Sequence, residues 1–191
     1  MSAPEPNDGE LAARALAGQQ SAYGILMQRH RDAVWRLARG HVGDPDEALD
    51  ITQETFIAAF TALPRYDRTR SFRVWIARIA LNKCRDWARR RAVRSFFTFA
   101  SPIDEALNLA DSGASPEEAL HSQHELSHIQ AAIAALPVAL KDVLLLRTIE
   151  AMSQADTAQV LGVTDKTVET RLYRARAKLA EILRDWNPSR V

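Results

Sequence analysis

The stretch LGVTDKTVETRLYRARAKL, residues 161–179, decides how the chain is read. Val168, Leu172, Ala175 and Leu179, continued by Ile182, recur at spacings of 4, 3, 4 and 3. That is one apolar side of an α-helix. Lys166, Thr167, Thr170, Arg171, Arg174 and Lys178 fall on a second side, and Asp165, Glu169 and Arg176 on a third. Upstream, Ser153 to Leu161 reads as a shorter helix, and Gly162 sits in the turn between the two. Helix, tight turn, helix is the spacing of a helix-turn-helix, whose second helix enters the DNA major groove. Lys and Arg neutralise phosphates, Arg can bind guanine through two hydrogen bonds, and the Thr methyl can meet a thymine methyl. At this level an ordinary αα-hairpin with a solvated basic side remains the alternative.

The whole chain sets the bounds. Its 191 residues suffice for one large domain or two small ones, and 47% hydrophobic content predicts a folded core. The formal net charge of +1 hides a strong asymmetry. Pro64 to Arg94 holds eleven basic residues against Asp67 and Asp86, a net of +9. Val42 to Ala62 holds five acids and no Lys or Arg, and Ser95 to Leu140 holds six acids and no Lys or Arg. The basic block is the candidate for nucleic acid. Cys84 is the single cysteine, so no intrachain disulfide can form and a reducing compartment is expected. No apolar run approaches the ~20 residues that span a bilayer. MSAPEPNDGE lacks the basic and apolar parts of a secretory signal. The expectation is a cytoplasmic protein that is not itself a membrane protein.

Nothing reads as a strand, so the expected fold class is all-α: two small helical domains joined by a flexible acidic linker. Ala22, Ile25, Leu26, Val34, Leu37, Ala38 and His41 form a helical stripe. In GDPDEA, Asp44 can cap a new helix, Pro45 suits its first turn, and Asp46 and Glu47 suit its positive end. That helix carries Leu49, Phe56, Ala59, Phe60 and Leu63 inward. Ser71 can cap a third helix, with Phe72, Trp75, Ile76, Ile79 and Trp87 inward and its basic residues outward. After Arg94 the periodicity stops, and a stretch this long between elements argues for two domains. The expected division is an N-terminal extension at 1–19, a first domain at 20–94, a linker at 95–118 and a helix-turn-helix domain at 119–191. Helices are expected from Val138 to about Glu150, from Ser153 to Leu161, and from Thr164 onward. His30 and His41 stand isolated and receive no role.

Two motifs carry a family resemblance. Ser153, Ala158, Leu161, Gly162, Thr167, Val168, Arg171, Leu172, Arg174, Ala175, Arg176 and Leu179 resemble the promoter-reading C-terminal region of sigma-70 family sigma factors. Thr157 departs from the apolar residue usual there. Asp50-Ile51-Thr52-Gln53-Glu54-Thr55-Phe56, with its surroundings from Ser21 to Leu63, resembles the family's core-polymerase-binding region. YDRTRSFRVWIARIALNKCRDWARRR resembles the region that opens and reads the −10 element. In the right order and covering about 150 of the 191 residues, these match the two-domain, extracytoplasmic-function group.

The resemblance implies a set of roles. Asp50, Gln53, Glu54 and Phe56 would bind core RNA polymerase, through its β′ and β subunits. Tyr66, Arg78, Asn82, Lys83, Arg85, Arg89 and Arg90 would bind −10 DNA, and Lys166, Thr167, Thr170, Arg171, Arg174 and Lys178 the −35 duplex. Physical reasoning agrees. Asp50, Gln53 and Glu54 share a helix face, the arginines can track a backbone, and Asn82 can pair with a base edge. Tyr66 is the candidate exposed ring for stacking, with Phe72 and Trp75 more suited to the core. The resemblance also implies an anti-sigma partner, possible membrane anchorage of that partner, no cofactor, and no catalytic chemistry in this chain.

His124-Glu125-Leu126-Ser127-His128 fits H-E-x-x-H, and His121 adds a third imidazole. A peptidase would also need a third ligand from elsewhere and a second shell, and no motif supplies them. The reading is a solvated helix face with no metal. A stand-alone helix-turn-helix activator remains the other alternative, but it leaves DITQETF and the basic third helix without a role.

Overall fold

The structure, a computed structural model, describes residues 5–98 and 126–185. Every regular element among them is helical. Four helices form the N-terminal unit: α1 (Asp8–Leu16), α2 (Gln20–Val42), α3 (Pro45–Ala62) and α4 (Phe72–Thr98). The C-terminal unit holds α5 (126–134), α6 (Val138–Leu144), α7 (Gln154–Leu161) and α8 (Asp165–Asp185). Residues 99–125, which include most of the expected linker along with Phe99, His121 and His124, lie outside the described residues, as do the side chains of Phe96 and Phe97.

Helix boundaries follow capping chemistry. Asn7 and Glu10 form a reciprocal capping box at α1. Asp44 accepts from the backbone N–H of Asp46 and Glu47, with Pro45 in the first turn of α3. Ser153 accepts from the N–H of Asp156 to start α7, and Gly162 ends it at φ 65°. Residues 8–16 of the N-terminal extension form α1, which buries Leu11, Ala12 and Ala15 in the core. The expected helix to Glu150 changes character: after Leu144 the chain widens into a π-helical turn, Leu145–Ile149.

The main core joins Leu26, Val34 and Leu37 of α2, Phe56 and Ala59 of α3, and Phe72, Ile76 and Leu81 of α4. It also takes in Leu145, Leu146, Met152 and Val160 from the C-terminal unit. A second patch, Ala38, Ala48, Ile51, Cys84 and Trp87, ties α2, α3 and α4. Trp87 Nε1 donates to Glu47 across it at 2.6 Å. In the C-terminal unit α8 packs Val168 on Val143 and Ala158, and Ala175 on Leu136 and Leu144.

Two expected core residues are exposed. Ile25 is 38% and Leu49 47% exposed. Each stands at or beyond the edge of its helix's buried stripe, where the turn of the helix carries the side chain away from the core. Thr157 is fully buried, and its hydroxyl donates back to the Ser153 carbonyl at 2.8 Å. That local bond satisfies the hydroxyl where an apolar residue would otherwise stand.

Candidate polymerase and promoter interfaces

The polar side of α3 carries Asp50, Gln53 and Glu54 at the surface, while Ile51, Thr52, Thr55 and Phe56 face the core. Phe56 is only 4% exposed and lies beneath this face rather than on it, where the sequence reading places it among the contacts. Ile57 does the opposite. It is 68% exposed, on the same side as Asp50 and Gln53. Ile57, Ala58, Thr61, Ala62 and Arg65 line an open groove of about 420 Å³ beside Glu54 and Lys83. The signal was present in the sequence: position 57 lies four residues past Gln53 and three past Glu54, so the apolar side chain falls on the acidic face.

The seven residues assigned to −10 DNA divide. Arg78, Asn82, Arg85 and Arg89 follow spacings of 4, 3 and 4 along α4 and share one side. Lys83 and Arg90 turn toward α3, where they approach the Glu54 carboxylate at 3.3 and 3.7 Å. Tyr66 is displaced from its expected role. It is 7% exposed, and its hydroxyl donates to the Arg70 carbonyl at 2.5 Å. The ring packs against Phe72 and Trp75, with centroids 5.3 and 4.9 Å away. Burial, then the nearby charges of Asp8 and Asp67, push its phenol above the usual range. The 63–71 turn wraps the ring and leaves little of it exposed, which the loop-like sequence did not reveal.

A small cavity of about 70 Å³ opens beside this cluster, lined by Tyr66, Asp67, Arg70, Ser71, Val74, Trp75, Arg78 and, from α7, Gln159. The loop is held by Asp67, whose carboxylate accepts from the Thr69 N–H at 3.0 Å and the Thr69 hydroxyl at 2.7 Å. Those bonds hold the Asp67 carboxyl below its usual value.

In the C-terminal unit Lys166, Thr170, Arg174 and Lys178 are exposed on α8, while Thr167 and Arg171 are half-buried. Lys166 pairs with Glu169 at 3.0 Å and Lys178 with Glu181 at 2.9 Å, both surface pairs one helical turn apart. Such pairs are worth little and leave both cations available. Tyr173, 76% exposed, was not singled out in the sequence. It lies three residues from Thr170 and seven from Lys166, at the edge of the cationic side. Gln154 anchors the first helix of the motif to the second by donating to the Asp165 carbonyl at 3.0 Å.

The isolated histidines have partners. His30 Nε2 lies 2.8 Å from Asp8 Oδ2, and its ring packs on Phe72. His41 Nε2 lies 3.2 Å from Asp142 Oδ1. Neither is isolated, because α1 and α6 return to α2 across long sequence separations. Among the described residues no group of His, Cys, Asp and Glu could hold a metal, and no described helix is long and apolar enough to cross a membrane.

Comparison with known proteins places the chain in a family. Residues 26–94 match the family Sigma-70 region 2, and residues 127–179 match Sigma-70, region 4. The RNA polymerase sigma factor CnrH of Cupriavidus metallidurans is 39% identical, over 94% of this chain and 96% of that protein. The ECF RNA polymerase sigma factor SigW of Bacillus subtilis is 31% identical, over 88% and 92%. The structure of CnrH in complex with the cytosolic domain of CnrY superposes with a TM-score of 0.71 at 36% identity, covering 94% of this chain and 99% of that one. A two-region chain of this length, with a basic fourth helix and a C-terminal helix-turn-helix, belongs to the extracytoplasmic-function group of the sigma-70 family of RNA polymerase sigma factors.

Proposed function

We propose that the chain binds core RNA polymerase with α3 and reads two promoter elements with two separate helices, directing transcription of a particular set of genes. The polymerase makes the phosphodiester bond, and this chain contributes recognition and strand opening. The observation that carries the reading is the division of charge on neighbouring helices. Asp50, Gln53 and Glu54 project from α3, and Arg78, Asn82, Arg85 and Arg89 from one side of α4. An acidic face suits a basic protein partner, and a cationic stripe suits a phosphate backbone.

On α3 the exposed Ile57 and its groove add an apolar anchor to the acidic contact, the composition of a protein interface core and its rim. On α4, Asn82 reads a base edge while the arginines hold phosphates. A base flipped from the −10 strand is received near the Trp75 and Arg70 cavity, and its unstacking costs a few kcal/mol. On α8, Arg171 and Arg174 read the −35 duplex, Thr167 and Thr170 adjust the fit, Lys166 and Lys178 hold phosphates, and Tyr173 adds a ring at the groove edge. An anti-sigma protein, membrane-anchored or not, is the expected inhibitor, in line with the CnrH complex with the cytosolic domain of CnrY. The protein acts in the cytoplasm, where the polymerase is.

Capture of bacterial core RNA polymerase by the tagged full chain, followed by transcription from a promoter library, tests this. Co-purification and starts confined to promoters sharing −35 and −10 sequences are expected. Promoter binding with no affinity for core would instead favour a stand-alone activator. Asp50→Ala with Glu54→Ala is expected to lower core affinity and leave helicity intact.

A further inference from the structure

Helix α1 lies outside residues 26–94, the stretch that matches Sigma-70 region 2, and none of the contacts assigned above falls on it. Its first turn is nonetheless held at several points. Asp8 Oδ2 lies 2.8 Å from His30 Nε2 of α2, and Asp8 Oδ1 accepts from Arg29 Nη1 at 3.1 Å. The same Arg29 nitrogen donates to the Pro6 carbonyl at 2.8 Å, and Arg29 Nη2 reaches Glu5 at 3.3 Å. Besides α2, α1 packs on residues 63–65, where the turn before α4 begins. Leu11, Ala12 and Ala15 share the main core with Leu63 and Tyr66 of that turn and with Phe72 just after it. The His30 ring, held by Asp8, lies 5.0 Å from Phe72, which in turn lies 5.3 Å from both Tyr66 and Trp75. Tyr66 and Trp75 line the small cavity beside the turn.

The other side of α1's first turn meets the loop directly. A β-carbon at Gly9 would lie 2.8 Å from the Arg68 carbonyl oxygen and 3.7 Å from Arg68 Cβ. Carbon and carbonyl oxygen normally come no closer than about 3.3 Å. Any other residue at position 9 must therefore push the loop backbone or lift α1. Gly40 is the other glycine among the described residues with so close a neighbour: its β-carbon would lie 2.5 Å from Leu145 Cδ2. There the missing side chain seats a core leucine, and at position 9 it seats the main chain of a loop. Residues 67–70 are exposed, so core packing does little to place them. Asp67 holds Thr69, and the Tyr66 hydroxyl holds the Arg70 carbonyl. The Arg68 peptide falls between those two ties, and Gly9 backs it.

We propose that Asp8 and Gly9 are positioning residues for −10 reading: the first turn of α1 sets the place of the Arg68 peptide, and with it the shape of the Tyr66–Trp75 cavity that receives the flipped base. The proposal rests on the assignment of that cavity above. Both residues act through the loop and touch no DNA. Their effect belongs to base capture, and core binding and −35 reading do not depend on them.

The test uses the full chain assembled with core polymerase and single-stranded DNA carrying the non-template −10 element of a promoter recovered from the library. Abasic sites placed one at a time find the captured base. A base held by stacking favours the intact strand over the abasic one about tenfold or more. Gly9→Val presses on the Arg68 carbonyl and is expected to bring that ratio to within about twofold of unity, with core affinity unchanged. Asp8→Asn keeps the shape but removes the charge that Arg29 pairs with, and a smaller loss in the same direction is expected. It keeps the proposal open to refutation should Gly9→Val not fold. Ala38→Gly, buried in the separate core patch, lowers stability without touching α1 or the loop and is expected to keep the ratio. A ratio kept in both α1 variants overturns the proposal. An equal loss in Ala38→Gly also overturns it, since general destabilisation would then suffice. Arg70→Ala with Arg78→Ala strips the rim of the cavity and tells a wrong cavity from an idle α1. If this pair lowers the ratio and the α1 variants do not, the −10 reading stands and α1 has no part in it. If the pair leaves the ratio unchanged, or no abasic site matters, the base is not received here and the proposal falls with the cavity.

Discussion

Arg174 is exposed on the side of α8 opposite the buried Val168 and Ala175, whereas Arg171 is half-buried beside it. Replacing either by alanine is expected to weaken use of −35-dependent promoters by about 1–3 kcal/mol if it contacts a base. Transcription from consensus and −35-mutant promoters measures this, and equal loss on both would assign the residue to phosphate instead. Cys84 gives a second expectation at this scale. Burial, then the Asp142 charge, raises its thiol to about 12. The native chain is therefore expected to resist thiol reagents at neutral pH until it is denatured, as a colorimetric thiol assay would record. Single residues also mark the limits of sequence reading. Asp50, Gln53 and Glu54 were legible because helical spacing alone puts them on one face. Tyr66 was misjudged because its burial depends on a turn folding back over it. His41 was passed over because its partner is Asp142, far along the chain.

At the scale of elements, the cap and turn residues of the helix-turn-helix were readable, since capping is local chemistry. Ser153 accepts from the Asp156 N–H at 3.0 Å and donates to the Asp156 carboxylate at 2.7 Å. Ser153→Ala is expected to cost about 1 kcal/mol, and a lowered thermal midpoint would show it. Thr157→Val is expected to stay within about 1 kcal/mol. The Ser153 carbonyl still receives the Thr157 N–H at 3.0 Å, and the new side chain has the same branched shape. A large loss on Thr157→Val would show that the hydroxyl does more than satisfy itself. The π turn was not legible. It accompanies a run of buried residues, 141–146, which arises because α6 is enclosed by α8 on one side and by the N-terminal unit on the other.

At the scale of the molecule, charge patterning separated an acidic from a basic stretch but did not show how the two units meet. The total of +1 is balanced by pairing across units as well as within them. Asp142 makes that pairing dependent on pH. Burial alone would raise its carboxyl, but His41 and Arg85 together outweigh burial and hold it below its ordinary 3.8. Cys84 and Lys141 are the other ionisable neighbours, and Lys141 also donates to the Ala134 carbonyl at 2.7 Å. A depressed carboxylate contributes stability above its unfolded value and loses it as pH falls through the folded one. The ionic contact between the units is therefore expected to persist from neutral pH to near 4 and to loosen below. The distance between units, followed with circular dichroism at each pH, would separate undocking from unfolding; a distance unchanged down to the point of unfolding would remove Asp142 from this role.

The empty position at Gly40 has a genetic consequence. Glycine codons reach alanine, valine, aspartate and arginine by single-base changes, and every one of these adds a β-carbon where Leu145 already sits. Substitutions at partly exposed helix positions are usually tolerated. Lesions at this codon would instead strain the packing of Leu145 in the core that both units share. A codon-40 library selected for a stably folded chain is thus expected to return glycine almost alone, although the position lies on no surface assigned to polymerase or promoter.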